Sequence, residues 1–305
     1  MPTITNVSSF TVTVRASKAG YKTQSTTQTV KVNKANGNLT LSSYSGILTY
    51  PNSGTFSVSG NTGNLSVSSS NTNVVTVSLS GNTVTIIPKT REGSATITVK
   101  SAASANYTEK SVTYNVTVQL PYFTASSGVG YYADVDGNGT VDGVIFEDFK
   151  VGGSGSWGNR NGTYTIPTVS GTKEYYISKT NYSGPFGTKD VLSAKGSGNN
   201  RFYVMALSDV GNDTYSWSEG KGLESNGWIM PERNEWAAFL GNLKISESNY
   251  KSCGLKGEYW SSTKADDSLV WTAQFTTVEN YNGYFVKTLY KYDYYRRSVR
   301  FCKKF

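Results

Sequence analysis

The chain is 305 residues long, carries a formal net charge of +8 and contains no histidine. The length allows two or three domains that each bury a core, and the missing histidine removes both the usual general base at neutral pH and the commonest metal ligand. With no pair of carboxylates in an apolar setting that would separate their proton affinities, turnover is not expected.

No apolar run approaches the roughly eighteen residues of a membrane span, so membrane insertion is not expected either. The first thirty residues lack the apolar core of a signal peptide. The chain is therefore expected to be a piece of a longer exported protein, or one exposed by another route such as a virion. Basic residues are spread along the sequence except in the tail, where Arg296, Arg297, Arg300, Lys303 and Lys304 cluster. That pattern reads as a solvated edge strand kept soluble by charge, and nucleic acid is not an expected partner.

In chain order, residues 3–118 read as successive alternating strands: FTVTVRA at 10–16, TQTVKVN at 27–33, NVVTVSL at 73–79, NTVTIIP at 82–88 and SATITVK at 94–100. Gly, Asn and Ser punctuate them at intervals typical of a β-sandwich, and Gly81-Asn82 between two apolar alternations signals a hairpin. FTVTVRASKAGYKTQSTTQTVKV at 10–32 matches ATITVKSAASANYTEKSVTYNVTV at 95–118 as strand, small-residue turn ending in Tyr21 or Tyr107, and strand. The second copy closes a full domain over 34–119, whereas 1–33 reads as a partial module, the last strands of a preceding repeat.

Residues 34–119 resemble the bacterial Ig-like group 2 domains through NVVTVSLSGNTVTIIPKTREGSATITV and NYTEKSVTYNVTV. The resemblance implies an Ig-like sandwich used as a spacer or stalk on a bacterial or phage surface.

After LPYF at 120–123 the composition changes, and WIMPERNEWAAFLGNL at 228–243 predicts the single helix. Pro231 stands near its start, acids fill the first turn, and Trp236, Phe239, Leu240 and Leu243 share one face. One amphipathic helix amid short strands predicts an α+β domain over 120–305. Asp134, Asp136, Asn138 and Asp142 have the spacing of a calcium loop through nine positions, with Gly139 at the sharp turn. Ile145 occupies the place of the bidentate carboxylate, so the segment reads either as a calcium site or as an Asx-rich turn. GGSGSWGNRNG at 152–162 lacks the Lys-Ser/Thr of a phosphate loop and reads as a flexible loop.

Only two cysteines occur, Cys253 and Cys302. Their separation excludes a CxxC metal site and leaves open one disulfide or two buried thiols. The clearest anomaly is tyrosine density: Tyr281, Tyr284, Tyr290, Tyr292, Tyr294 and Tyr295 fall within fifteen residues, where 22 tyrosines in 305 predict about one. Tyrosine supplies stiff contact area with a polar handle, as binding hot spots require. Around them TAQFTT, GYFVKTLYK and SVRFC read as strands whose Phe275, Phe285, Val299 and Phe301 point inward.

WIMPERNEWAAFL, EYWSST at 258–263, VWTAQF at 270–275 and RRSVRFCKKF at 296–305 together resemble C-type-lectin-fold domains of bacterial and phage surface proteins. Specifically, they resemble the variable proteins of diversity-generating retroelements and their non-variable relatives. The resemblance implies a ligand surface formed by Lys264, Asp266, Asp267, Trp271, Glu279, Tyr281, Asn282, Tyr284, Tyr290, Tyr292, Asp293, Tyr294 and Tyr295. Its expected partner is a protein or glycan on a host or microbial surface, with homo-oligomerisation as an alternative use of the same tyrosines. EPN, QPD and WND triplets are absent, and so are the paired cysteines of the formylglycine-generating enzymes that share the fold. No cofactor is expected beyond the calcium already named.

Overall fold

Hydrophobic alternation becomes paired strands throughout the computed structural model. It describes residues 7–158, 162–275 and 294–305, together with the backbone of 285–290. The chain divides into two units, Met1–Leu120 and Pro121–Phe305.

In the first unit β1 (Ser9–Ala16) and β2 (Gln24–Lys31) form a two-stranded antiparallel sheet of their own. Its side chains are nearly all exposed. The next strands are β3 (Thr40–Leu41), β4 (Ser45–Thr49), β5 (Gly54–Ser59), β6 (Leu65–Ser69), β7 (Val75–Ser80), β8 (Thr83–Pro88), β9 (Gly93–Ser101) and β10 (Lys110–Gln119). They make two four-stranded sheets, ordered β4-β10-β9-β6 and β3-β5-β8-β7. Only β4 runs parallel to its partner β10.

Both sheets turn alternate side chains into one core containing Phe56, Val58, Val84 and Ile86 from one and Ile97, Val99, Tyr114 and Val116 from the other. That two-layer arrangement is a β-sandwich. Phe56 stacks on Tyr114 at 4.4 Å across the layers. Gly81, at φ +56°, turns β7 into β8 as the Gly-Asn pair predicts.

The second unit contains β11 (Tyr132–Ala133), β12 (Gly143–Asp148), β13 (Gly153–Ser156), β14 (Thr163–Ile166), β15 (Glu174–Gly184), β16 (Gly187–Lys195) and β17 (Phe202–Ala206). Then come α1 (Trp217–Gly222), α2 (Arg233–Asn242), β18 (Glu258–Lys264), β19 (Leu269–Gln274), β20 (Phe285–Tyr290) and β21 (Cys302–Lys304). A six-stranded sheet is ordered β15-β16-β11-β12-β17-β21, with β13-β14 and β18-β19-β20 as separate sheets.

Strand β12 is buried along its whole length, so its apolar stretch Val144, Ile145 and Phe146 does not alternate with exposed residues. Val144 and Phe146 pack toward α2, whereas Ile145 faces the opposite core with Phe202, Val204 and Phe305. The helix differs from its expectation: Glu235 through Leu240 are all buried, because sheets and hairpin enclose it, so it is not amphipathic. Helix α1 is an addition that the single predicted helix did not include. Ser216 caps it through a reciprocal box with Glu219.

Two further expectations are corrected. The glycine-rich 152–162 segment is not simply a flexible loop, since β13 pairs with β14 from Gly153↔Ile166 to Ser156↔Thr163. The basic tail is a solvated edge only in part: β21 is the outer strand of its sheet and Lys304 is exposed, whereas the arginines find partners. Arg300 is 1% exposed and bound to Asp209, Arg297 pairs with Glu258, and Arg296 bonds the Thr214 carbonyl.

The end of β12 carries a buried ion pair. Arg201 donates from Nε to Asp148 Oδ1 at 2.9 Å and from Nη2 to Asp148 Oδ2 at 2.7 Å. Removing one partner strands a desolvated charge. Asp148→Ala is therefore expected to destabilise the second unit by about 3–5 kcal/mol, read from its urea-unfolding midpoint. A loss below about 1 kcal/mol contradicts this.

Candidate functional site

Six of the residues assigned to the ligand surface, Glu279, Tyr281, Asn282, Tyr284, Tyr292 and Asp293, lie outside the described residues. Tyr290 is placed by its backbone alone, opposite Leu269. The remaining six fall into distinct settings.

Tyr294 is 72% exposed, and its ring packs on Tyr295 at 4.5 Å. Tyr295 is half-buried against the cluster of Met230, Trp260, Val270, Val299 and Phe301, and the Arg297 guanidinium lies 6.0 Å from its ring. Lys264 ends β18, and Asp266 and Asp267 occupy the exposed turn to β19, where Asp266 Oδ1 accepts from the Ser268 and Leu269 amides at 2.7 Å. Lys264 reaches over Trp217 of α1 at 5.7 Å.

Trp271 follows the opposite direction. Strand alternation sends Val270 toward Trp260 and Tyr295, and Trp271 toward the core around α2. There Trp271 meets Trp157 edge to face at 5.0 Å, and the Arg233 guanidinium lies 4.2 Å from the Trp157 ring and 5.0 Å from that of Trp271. Trp157 also donates from Nε1 to Asn234 Oδ1 at 3.0 Å. The described members of the predicted surface thus lie on two faces of the β18-β19-β20 sheet.

Sequence reasoning missed Trp157 and Arg233, which lie far apart in the chain. The tryptophan within a glycine-rich stretch was the available signal. A Cβ at Gly162 would run into the Trp157 ring, so that glycine gives the indole its place.

The acidic loop assembles as its spacing suggests. Asp134, Asp136 and Asp142 each bring one carboxylate oxygen within 4.8 Å of the others. Backbone amides wrap the same carboxylates: Gly139 donates to Asp134 Oδ2, Asn138 to Asp136 Oδ1 and Val135 to Asp142 Oδ2. Asn138 Oδ1 accepts from the Thr140 amide and hydroxyl. This is the Asx-turn network; Asp134, Asp136, Asn138 and Asp142 are also the residues that could hold a cation. Burial, and then the charges of Asp136 and Asp134, push the Asp142 carboxyl above its ordinary value. Ile145 is fully buried in the core and supplies no ligand, so the loop departs from a complete calcium hand.

Of the two alternatives left open for Cys253 and Cys302, the structure has two free, buried thiols and no disulfide between them. Cys302 on β21 donates to Glu235 Oε2 at 3.3 Å, and burial pushes both thiols above their usual range. Thiols held protonated in this way are poor nucleophiles.

No family model matches the chain, and no curated protein matches it. Among solved structures, domains 4 and 5 of the S-layer protein SbsC show 32% identity over 35% of this chain, with a TM-score of 0.24. The chain covers 65% of that structure's length, less than two thirds. SbsC domains 1-6 match at 24% identity over 65% of this chain and 26% of theirs, with a TM-score of 0.26. The adhesin InvE of Yersinia pseudotuberculosis matches at 12% identity over 82% of this chain and 99% of its own, with a TM-score of 0.19. Likenesses this loose carry no argument about function.

Glu235 yields a prediction on pH. Burial pushes its carboxyl above the ordinary 4.5, against hydrogen bonds from the Glu232 amide, Tyr203 and Cys302. A raised folded value means that the native state binds more protons than the unfolded chain above pH 4.5, so stability falls as pH rises through that window. Glu235→Gln is expected to flatten this fall, read as the slope of melting temperature against pH relative to wild type. An unchanged slope contradicts the assignment.

Proposed function

We propose that the chain is an extracellular, ligand-binding surface protein of a bacterium or phage, in which Ig-like modules carry a C-type-lectin-like domain that binds without turnover. The observation that carries this reading is Tyr294, a phenol 72% exposed and backed by the ring of Tyr295. A large ring held at the surface by a second, half-buried ring is pre-ordered contact area of the kind that recognition sites use. Tyrosine density over 281–295 extends the same chemistry along the sequence. The enclosed helix α2, the sheet β18-β19-β20 and the returning C-terminal strand agree with the order of lectin-like motifs. Among the described residues no helix is long and apolar enough to cross a membrane.

Calcium-dependent glycan binding is a narrower form of this reading, resting on the loop at 134–142. A second reading is a structural surface or virion subunit whose tyrosine patch is an assembly interface.

The two readings separate on one variant read in two ways. Tyr294→Ala is expected to weaken binding to a protein and glycan array by tenfold or more, about 1.4 kcal/mol, with the melting temperature held. Unchanged array binding contradicts the recognition reading. A micromolar oligomer in analytical ultracentrifugation that dissociates in Tyr294→Ala supports the structural one.

A further inference from the structure

In the first unit the β1–β2 hairpin reproduces the β9–β10 hairpin pair by pair. Phe10↔Val30, Val12↔Gln28, Val14↔Thr26 and Ala16↔Gln24 pair as Ala95↔Val116, Ile97↔Tyr114, Val99↔Val112 and Ser101↔Lys110 do. These are matching positions of the sequence repeat, and the pairs between them coincide as well, so all eight pairs of β1–β2 keep the register of β9–β10. A slip of one residue would exchange the two faces, so equal register makes the same two-faced ribbon twice.

Both faces carry the same chemistry. Thr13↔Thr27 and Arg15↔Ser25 stand where Thr98↔Thr113 and Lys100↔Ser111 form the polar side of the later hairpin. The opposite side is apolar in each copy, through Val12, Val14 and Val30 in one and Ile97, Val99 and Val116 in the other. What differs is the cover. Ile97, Val99 and Val116 are at most 1% exposed, in one core with Phe56, Val58, Val84 and Ile86 of the facing sheet, whereas Val12, Val14 and Val30 are 41%, 59% and 37% exposed.

A lone two-stranded ribbon is at best marginally stable in water, and an apolar face is buried by packing a second sheet on it. The interface already formed by β9–β10 says which kind of sheet that is. We infer that the β1–β2 face docks an Ig-like partner segment with the apolar alternation of β3–β8, completing a second sandwich over Val12, Val14 and Val30. Such a segment also closes the edges of the ribbon, because β4 pairs with β10 and β6 with β9 in the complete copy. One position departs from the copy: Gln28 stands where Tyr114 stacks on Phe56 at 4.4 Å. The inference concerns the first unit and does not rest on the recognition reading of Tyr294.

The test places a second copy of residues 34–93 ahead of Ser9, in exchange for residues 1–8 and with the rest of the chain intact. One additional cooperative unfolding transition is expected, and the amides of β1 and β2 are expected to gain about a hundredfold or more in protection from hydrogen exchange. Val12→Asp/Val14→Asp is expected to abolish both effects while leaving the melting curve of the unextended chain unchanged. Gln28→Tyr is expected to raise the midpoint of the added transition, since it restores the stack on the added copy of Phe56. Absence of an added transition overturns the inference, as does one indifferent to Val12→Asp/Val14→Asp. A midpoint that Gln28→Tyr leaves in place overturns the register assigned to the docked sheet. A dimer of the unextended chain in analytical ultracentrifugation that Val12→Asp/Val14→Asp dissolves also overturns the inference, because a second copy of the hairpin would then be the occupant.

Discussion

A guanidinium without access to water joins four separate segments of the second unit. Arg300 is 1% exposed and donates from Nε to Asp209 Oδ1 at 2.7 Å and from Nη2 to the Gly254 carbonyl at 2.6 Å. Tyr259 donates its hydroxyl to both Asp209 oxygens, at 3.0 and 3.1 Å, and accepts from the Lys256 amide at 2.7 Å. Burial raises the Tyr259 pKa and keeps that hydroxyl a donor. Arg300 Nη1 makes no hydrogen bond, so the desolvation of this charge is only partly offset and rests heavily on Asp209. One network therefore ties the returning C-terminal segment to the loop at 209, the turn ending at Gly254 and β18.

That fixation connects the core to the surface. Tyr259 and Trp260 stand on opposite faces of β18, one in the core around α2 and the other in the cluster against which Tyr295 packs. Val299, next to Arg300, lies in the same cluster as Trp260. The exposed Tyr294 ring is therefore backed by a residue seated on a locked core, and Trp271 is seated against the other face of the same sheet. Recognition by such surfaces draws on pre-organisation, because the side chains lose little freedom when a partner covers them. The Arg201–Asp148 pair plays the corresponding part next to Phe149 at the end of β12.

Much of the architecture was legible because period-two alternation survives in strands with one dry face, as in β8, β9 and β10. It failed where both faces are dry. Helix α2 was visible from its proline and first-turn acids, yet its burial on all sides depends on partners distant in sequence. Helix α1 was announced only by Ser216 and Glu219, a capping box with almost no apolar pattern behind it. The tail arginines looked like solvated charge because their partners Asp209, Glu219 and Glu258 come from other segments. The acidic loop was readable, since the amides that donate to the Asp134, Asp136 and Asp142 carboxylates come from the loop itself. The Trp157–Arg233–Trp271 contact was not, since it joins three separate elements.

Backbone hydrogen exchange on an Asp209→Asn variant tests most directly whether the buried charge network holds this scaffold. The account predicts that amides of β18, β19 and residues 297–302 lose protection together, while those of the β-sandwich at 40–119 keep theirs. Undiminished protection across all three segments of the second unit would contradict it, since the guanidinium would then tolerate a neutral partner and the scaffold would not depend on it.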